Sequence, residues 1–278
     1  MPEKTPSAAE ITQASKSNLA FAFMSLGKTQ RRDITVFYAF CRLIDDIADA
    51  STLSTEEKAI RLSAWRQALR DPSPNEPALA PEVRDLFSRY AITPSMLELI
   101  IDGVEMDLTT SRYQTFAELR EYCYRVASAV GLVSIEIFGY KNPACREYAI
   151  ALGLALQVTN ILRDVGRDLE NDRVYLPQED MGRFEYGPED LAARLYNQQF
   201  VRLMQFEAGR AHEYFQEAAS LLPPEDRRAM ISAEIMGSIY HALLRQMERD
   251  EFHVFDRQYG LSRAAKLLHV ARQMLKLV

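Results

Sequence analysis

Two stretches of this sequence each carry a pair of aspartates one helical turn apart. The first, VFYAFCRLIDDIADA, places polar residues at intervals of 4, 3 and 4 on one face of a predicted helix: Tyr38, Arg42, Asp45 and Asp49. Asp46 points about 100° away from Asp45 and is left out of this set. Carboxylates at positions i and i+4 destabilise a helix by about 0.2–0.5 kcal/mol. We therefore expect either solvent or a cation to face the pair.

The second stretch, QVTNILRDVGRDLENDRVYLP, repeats the pattern. Polar residues share one helix face at intervals of 3, 4 and 4: Gln157, Asn160, Asp164 and Asp168. This face adds amide side chains, which accept and donate hydrogen bonds, to the carboxylates. The two stretches therefore offer matching sets of oxygen ligands.

Carboxylate pairs of this kind suit magnesium. Mg²⁺ takes about six oxygen ligands and commonly bridges carboxylates to substrate phosphates. Arg42 lies within the first set, and Arg163, Arg167 and Arg173 accompany the second. Guanidinium groups bind phosphate oxygens bidentately. One such pair alone is typical of a solvated helix face, but two pairs in apolar surroundings with arginines nearby favour a site for Mg²⁺ and a diphosphate.

The elements that must position these residues are helices. From Asn18 onward apolar residues recur at intervals of three and four with almost no strict alternation, which predicts an all-α protein. We expect residues 1–15 to form a flexible segment and residues 16–278 to form a single all-α domain of about eight to ten helices. The Pro-rich stretch DPSPNEPALAP at 71–81 is typical of a loop between helices.

The composition limits partners and location. A net charge of −6 and a pI near 5.4 predict no nucleic-acid binding. The 3 cysteines are widely spaced without a CxxC pair, which favours neither disulfides nor zinc and fits a reducing cytoplasm. No segment reaches the ~18 apolar residues of a spanning helix, so a contact with the inner membrane face would be peripheral. The sequence leaves the oligomeric state open.

At these residues the sequence resembles the squalene and phytoene synthase family, the head-to-head prenyl transferases. The resemblance covers most of the chain and rests on four stretches: VFYAFCRLIDDIADA, EMDLTTSRYQTFAELREYCYRVASAVG, QVTNILRDVGRDLENDRVYLP and GSIYHALLRQM. It implies an isoprenoid synthase-type helical bundle around a central pocket, in which two Asp-rich motifs bind magnesium diphosphate.

The resemblance also implies a role for each candidate residue. The implied metal ligands are Asp45, Asp49, Asn160, Asp164 and Asp168. The implied substrate-binding residues are Ser17, Tyr38, Arg42, Gln157, Arg163, Arg173, Tyr240 and Arg257. The candidate catalytic residues are Arg42, Tyr122 and Tyr124.

Two positions depart from the family's pattern. Relatives often carry a Ser-Phe pair near the N-terminus, whereas Ser17 is followed here by Asn and Leu. Many also have Tyr immediately before the Val-Ala of the middle motif, where this chain has Arg125, with Tyr122 and Tyr124 close by. The stretch YCYRVASAVG looks more like the bacterial presqualene diphosphate and squalene synthases than like the phytoene branch.

The resemblance implies that two farnesyl diphosphates condense to presqualene diphosphate in triterpenoid or hopanoid biosynthesis, and it leaves open whether reduction to squalene follows. Mg²⁺ is the implied cofactor. The sequence has no G-x-G-x-x-G motif, but this excludes only a Rossmann-type NADPH site, so NADPH-dependent reduction stays open. The alternatives are a phytoene or dehydrosqualene synthase of the carotenoid branch and a non-catalytic helical relative that acts as a scaffold. The retained aspartates favour an enzyme.

An allylic cation formed in such a reaction needs a dry pocket with aromatic faces. Candidates for this lining are Phe21, Phe23, Phe37 and Phe40, together with the tyrosines. Phe at helical spacing more commonly belongs to the core.

Overall fold

The structure, a computed structural model, describes residues 8–10 and 22–276. Ser17, Phe21 and most of the predicted N-terminal segment lie outside these residues. The described α-helices are α1 (Lys28–Asp49), α2 (Thr55–Arg70), α3 (Ala80–Arg89), α4 (Pro94–Met106), α5 (Phe116–Cys123), α6 (Ala129–Phe138), α7 (Cys145–Glu170), α8 (Gln178–Arg183), α9 (Pro188–Ala192), α10 (Gln198–Leu221), α11 (Ile231–Arg249) and α12 (Arg263–Leu275). A π-helical turn covers Tyr124–Ser128, and a 3₁₀ turn covers Pro224–Asp226.

The fold is all-α, as the sequence predicts. Over residues 8–10 and 22–276 there is no strand, and one isolated bridge joins Arg112 to Val174. From residue 28 to residue 276, the 12 α-helices exceed the expected eight to ten because α8 and α9, of 6 and 5 residues, are too short to show a helical repeat. The Pro-rich stretch joins α2 to α3, as predicted. None of the described helices combines the length and apolarity needed to cross a membrane.

Helix α1 carries the first acidic stretch and is anchored by its other face. Its buried residues recur at helical intervals and include Ile34, Phe37, Phe40, Ile44 and Ala48. Phe37 stacks on Phe40, and Phe40 meets Trp65 of α2 edge-on, with ring centroids 5.3 Å apart. The structure therefore places Phe37 and Phe40 in the core between α1 and α2.

Helix α7 carries the second acidic stretch and lies at the centre of the bundle. It packs against α5, α6, α10, α11 and the π-helical turn. Gly153 allows the turn to come close, because a Cβ at this position would lie 2.6 Å from the Cα of Ser128. The Ser128 hydroxyl also donates to the carbonyl of Ile150 at 2.8 Å. Helix α6 packs against both α7 and α1, so this one helix supports both acidic stretches.

A buried ionic cluster fixes the start of α1. The carboxylate of Asp33 is fully buried and accepts hydrogen bonds from Arg32 at 3.0 Å, from the Tyr90 hydroxyl at 2.7 Å and from Arg89. Burial opposes ionisation of Asp33, but these donors outweigh it and lower the pKa. Because Arg89 ends α3, the cluster ties α1 to α3.

Replacing Asp33 with asparagine is expected to lower the free energy of unfolding by about 3 kcal/mol, because Arg89 loses its buried counter-charge. The folded-state pKa of Asp33 is lowered, so this contribution is present above the pKa of an unfolded aspartate, about 3.9, and is lost as the pH falls through the folded-state pKa. Urea unfolding at neutral and acidic pH measures both effects.

The matched control is Asp46→Asn, which breaks a half-exposed pair with Arg42 on the same helix. It should cost less than about 1 kcal/mol. An Asp33→Asn variant as stable as the wild type at neutral pH would show that the cluster does not anchor α1.

Candidate active site

The first acidic pair lies at the C-terminal end of α1. The side chain of Asp45 is reached by solvent, but many protein atoms surround it and partly remove its hydration. This desolvation and the charge of Asp49 raise the pKa of Asp45 to about 7. The carboxylate of Asp49 accepts a hydrogen bond from Nη1 of Arg173 at 3.0 Å, and the two side chains form an ion pair. Because Arg173 follows α7, this ion pair joins the two predicted sets of residues.

The second acidic pair lies near the C-terminal end of α7. Desolvation and the charge of Asp164 raise the pKa of Asp168 to about 7. Asp164 is paired with Arg163, whose Nε lies 2.9 Å from Oδ1. Each pair thus contains a carboxylate whose ionisation is opposed by burial and by a like charge, an arrangement common at sites that bind cations.

A third acidic residue, Asp107, lies near both pairs and is absent from the predicted site. It follows α4, and desolvation raises its pKa. Its negative charge in turn raises the pKa of both Asp45 and Asp168. Burial opposes the charge of Arg173, the cation that pairs with Asp49, but the negative charge of Asp107 helps to raise the pKa of Arg173. Arg173 therefore lies among carboxylates from α1, α7 and the segment after α4.

Tyrosine hydroxyls hold Asp107. The hydroxyl of Tyr175 donates to Oδ1 at 2.7 Å, and that of Tyr122 donates to Oδ2 at 3.0 Å. Tyr113 completes the cluster, with ring centroids 5.6 Å from Tyr122 and 5.9 Å from Tyr175. The Tyr113 hydroxyl is buried and has no hydrogen-bond partner among the described residues. Burial and the charge of Asp107 raise the pKa of each of these tyrosines, so their hydroxyls keep their protons.

Two loops bring these groups together. The loop after α4 meets the loop after α7 at the isolated bridge, where the Val174 amide donates to the Ser111 carbonyl at 2.9 Å. Beside the bridge, Nη2 of Arg112 lies 2.6 Å from Oδ1 of Asp172. These contacts hold the tyrosines of both loops next to the acidic residues.

The ligand set fits magnesium. The acidic pairs and Asn160 offer oxygen atoms, the donors that Mg²⁺ prefers. Asn160 donates from Nδ2 to Gln157 at 3.3 Å, but its Oδ1 is buried and has no hydrogen-bond partner in residues 8–10 and 22–276. A buried acceptor of this kind is normally satisfied by a donor or a cation.

The site is not a metal cage made by the protein alone. Within the described part of the chain, no three Asp, Glu, His or Cys side chains converge closely enough to hold a metal ion. Mg²⁺ commonly takes one or two carboxylates and completes its octahedron with phosphate oxygens and water. Two separate acidic pairs around a diphosphate suit this mode of binding.

A cleft of about 620 Å³ opens beside the second pair. Its walls come from α7, α11 and residues 254–261, and they include Arg163, Asp164, Tyr240 and Arg257. Tyr240 lies close enough to Arg163 to contribute to its raised pKa, although burial opposes that rise. The structure therefore brings these predicted substrate-binding residues to one cleft.

The wall formed by residues 254–261 depends on close packing against α7. A Cβ on Gly166 would lie 2.7 Å from the carbonyl oxygen of Val254, so only glycine allows this approach. Asp250 fixes the other part of the wall, because it accepts from Arg257 at 2.7 Å and from the Tyr259 hydroxyl at 2.5 Å.

Tyr38 and Arg42 occupy the predicted face of α1. Tyr38 packs edge-on against Phe23, with ring centroids 6.4 Å apart. Arg42 lies 2.6 Å from Asp46, and its charge also lowers the pKa of Asp45. Asp46 thus has a defined contact, a half-exposed ion pair with Arg42.

Other predicted residues lie elsewhere. Residues two positions apart on a helix point in different directions, so Tyr124 does not share the contacts of Tyr122. Tyr124 lies near Arg146, at the start of α7, whereas Tyr122 holds Asp107. Arg125 pairs with a neighbouring glutamate at 2.8 Å. Ser17 lies outside the described residues.

Sequence comparisons with known proteins all match this chain to squalene and phytoene synthases. The family model for squalene/phytoene synthase matches residues 12–267. The chain is 35% identical over 255 residues to a 15-cis-phytoene synthase of Synechocystis sp., which covers 87% of this chain and 75% of that protein. It is 31% identical over 283 residues to a 15-cis-phytoene synthase of Synechococcus elongatus, which covers 96% and 91%.

Solved structures agree on the fold. A dehydrosqualene synthase in complex with a ligand matches with a TM-score of 0.83 at 26% identity, over 97% of this chain and 95% of the other. The squalene synthase HpnC from Alicyclobacillus acidocaldarius matches with a TM-score of 0.75 at 24% identity, over 88% and 93%. The described helices therefore form the all-α isoprenoid synthase fold.

Proposed function

Because this chain belongs to the squalene/phytoene synthase family of Mg²⁺-dependent prenyl transferases, we propose that it joins two farnesyl diphosphates head to head to give presqualene diphosphate. Residues 16–278 would form one catalytic domain. The observation that carries the proposal is the convergence of both acidic pairs on Arg173. Arg173 makes an ion pair with Asp49, and its positive charge opposes the rise in the pKa of Asp168. A diphosphate with Mg²⁺ matches this alternation of negative and positive groups.

The first step breaks the bond between C1 of one substrate and its diphosphate oxygen, which leaves pyrophosphate and an allylic cation. The proposed Mg²⁺ ligands are Asp45, Asp49, Asn160, Asp164 and Asp168. Bound there, Mg²⁺ would neutralise the charge that develops on the leaving group. Arg163 and Arg173 bind the phosphate oxygens. Burial opposes their charge, but neighbouring carboxylates outweigh it and raise the pKa of each guanidinium.

The allylic cation must survive until the double bond of the second substrate attacks its C1. Tyr113, Tyr122 and Tyr175 offer aromatic faces that stabilise positive charge. Their raised pKa keeps them neutral, so no phenolate is present to trap the cation. Loss of one proton then closes the cyclopropane ring of the product.

The choice of a C15 substrate is supported by the stretch YCYRVASAVG and by the similarity to the dehydrosqualene synthase structure over nearly the whole chain. Reduction of presqualene diphosphate to squalene would need NADPH. A second candidate is a phytoene synthase that uses C20 substrates, because the curated relatives named above are phytoene synthases.

Product analysis tests the proposal. The purified protein is incubated with Mg²⁺ and either farnesyl or geranylgeranyl diphosphate, each with and without NADPH. We expect pyrophosphate release and a C30 product from the C15 substrate, and no release in the presence of a chelator. A C40 product from the C20 substrate alone would establish the second candidate, and no release from either substrate would refute the proposed reaction.

A further inference from the structure

Helix α12 is oriented with its polar face inward. Its buried residue is Gln273, and His269 on the same face bonds Ser238 of α11 at 2.6 Å. The opposite face carries Ala264, Leu267, Leu268, Ala271 and Leu275, at helical intervals. Leu268 is 49% exposed and Leu275 is 72% exposed. An amphipathic helix on a globular protein normally buries its apolar face, so this face is built to meet an apolar surface.

The exposed apolar residues are concentrated on this helix. In the described part of the chain, large hydrophobic side chains with high exposure are Met24, Ile60, Leu195, Leu267, Leu268, Met274 and Leu275. Four of these belong to α12. A contiguous group on one helix face indicates an interaction surface, whereas single exposed residues are common on any protein.

The charge of α12 is opposite to that of the whole chain. The net charge of the chain is −6, but residues 263–276 contain only basic ionisable side chains besides histidine. Arg263 and Arg272 flank the apolar face on its two sides, as expected for side chains that extend toward phosphates at a lipid surface.

A basic groove continues from the C-terminal end of α12. It has a volume of about 780 Å³ and lies between α10, α11 and α12. Its basic lining consists of Arg245, Arg249, Arg272 and Lys276, with histidines besides. Its acidic lining is smaller: Glu234 is bonded to the Tyr148 hydroxyl at 2.8 Å, and Glu248 to His212 at 2.9 Å. The groove is therefore suited to anionic groups, and it lies against the inward face of α12, where His269 and Gln273 line it.

We propose that the outward face of α12 docks on a membrane surface that contains anionic phospholipids. The apolar face enters the boundary of the acyl chains, and the flanking arginines contact lipid phosphates. A second copy of the chain is the weaker occupant, because two α12 helices packed face to face would bring Arg263 and Arg272 of each copy against like charges.

Docking would bring α12, which borders the active-site cleft, to the bilayer. Leu261 and Lys266, which lies on α12, also line the cleft that contains Asp164. If the proposed function holds, an apolar product leaves this cleft at the lipid surface. The docking itself does not depend on turnover and is tested without substrate.

Vesicle co-sedimentation tests the docking. Full-length protein is mixed with vesicles of phosphatidylglycerol and phosphatidylcholine, or of phosphatidylcholine alone. We expect binding to the anionic vesicles to be at least about tenfold stronger. Leu268→Ser combined with Leu275→Ser should weaken it at least about tenfold. The matched control is Ile60→Ser, because Ile60 is 69% exposed on α2 and should leave binding unchanged.

Three results would overturn the proposal: no binding of the wild type to anionic vesicles, equal binding by the double serine variant, or equal weakening by Ile60→Ser. Light scattering during gel filtration identifies the other occupant. A wild-type dimer that the double serine variant converts to a monomer would assign the face to a second copy instead. Circular dichroism confirms folding, and the substituted side chains are exposed, so loss of binding is separable from unfolding.

Discussion

Replacing Asp45 or Asp164 with alanine is expected to lower kcat/KM for the prenyl diphosphate at least about a thousandfold. Each substitution removes one oxygen ligand from a different acidic pair, and the charge on the leaving group is stabilised only when both pairs act. Asp164→Ala also leaves Arg163 without its 2.9 Å partner. Steady-state release of pyrophosphate measures the loss, and circular dichroism shows whether the helices remain.

Asp46→Ala is the matched control for Asp45→Ala. Asp46 is the next residue on α1 and has the same charge, but it contacts Arg42 at the surface. We expect its loss to change kcat/KM by less than about tenfold, because a half-exposed pair contributes little. A folded and active Asp45→Ala variant, or an Asp46→Ala variant as damaged as it, would contradict the metal assignment.

Asp107→Asn is expected to lower kcat about a hundredfold while leaving the helices intact. The substitution removes the negative charge beside Arg173 and weakens the bonds from Tyr122 and Tyr175, which lie 3.0 Å and 2.7 Å from the carboxylate. Asp107 thus positions groups that meet the substrate, and losing one such group typically costs about a hundredfold or more. Single-turnover measurements report the effect on the chemical step.

The matched control for Asp107→Asn is Asp102→Asn on α4. Asp102 is on the same helix, has 42% of its side chain exposed and pairs with Arg66 at 2.6 Å. It should leave kcat within about threefold of the wild type. A role for Asp107 in stability alone would lower the midpoint of unfolding without changing kcat at low temperature, and that outcome would count against a positioning role.

Sequence periodicity was sufficient to predict the two acidic faces. Asp45 and Asp49 are one turn apart, and so are Asp164 and Asp168, because an α-helix brings residues four positions apart to one side. The fold class followed from the same repeat. The contact between the two faces could not be predicted from this repeat, because Arg173, which joins them, lies past the end of α7.

Asp107 and Tyr175 could not be found from helical spacing because both lie in loops. A loop has no repeat from which a shared face can be inferred, and here the two loops meet at the bridge between Arg112 and Val174. A signal was present, however. The stretch EMDLTTSRY, which contains Asp107 and Tyr113, belongs to the motifs that carry the family resemblance.

The choice between Tyr122 and Tyr124 also required the structure. Both lie in the stretch YCYRVASAVG, but the side chain of Tyr122 is buried against Asp107 and that of Tyr124 lies near Arg146. The orientation of α12 is a similar case. Its sequence predicts an amphipathic helix, but only the packing of Gln273 and His269 shows which face is turned inward.

Binding of inorganic pyrophosphate, followed by titration calorimetry with and without Mg²⁺, tests the central claim most directly. We expect tight binding with Mg²⁺, at least about tenfold weaker binding in a chelator, and loss of the Mg²⁺ effect in both Asp45→Ala and Asp164→Ala. Equal affinity with and without Mg²⁺, or an undiminished Mg²⁺ effect in either variant, would contradict a site in which the two acidic pairs together hold Mg²⁺ and diphosphate.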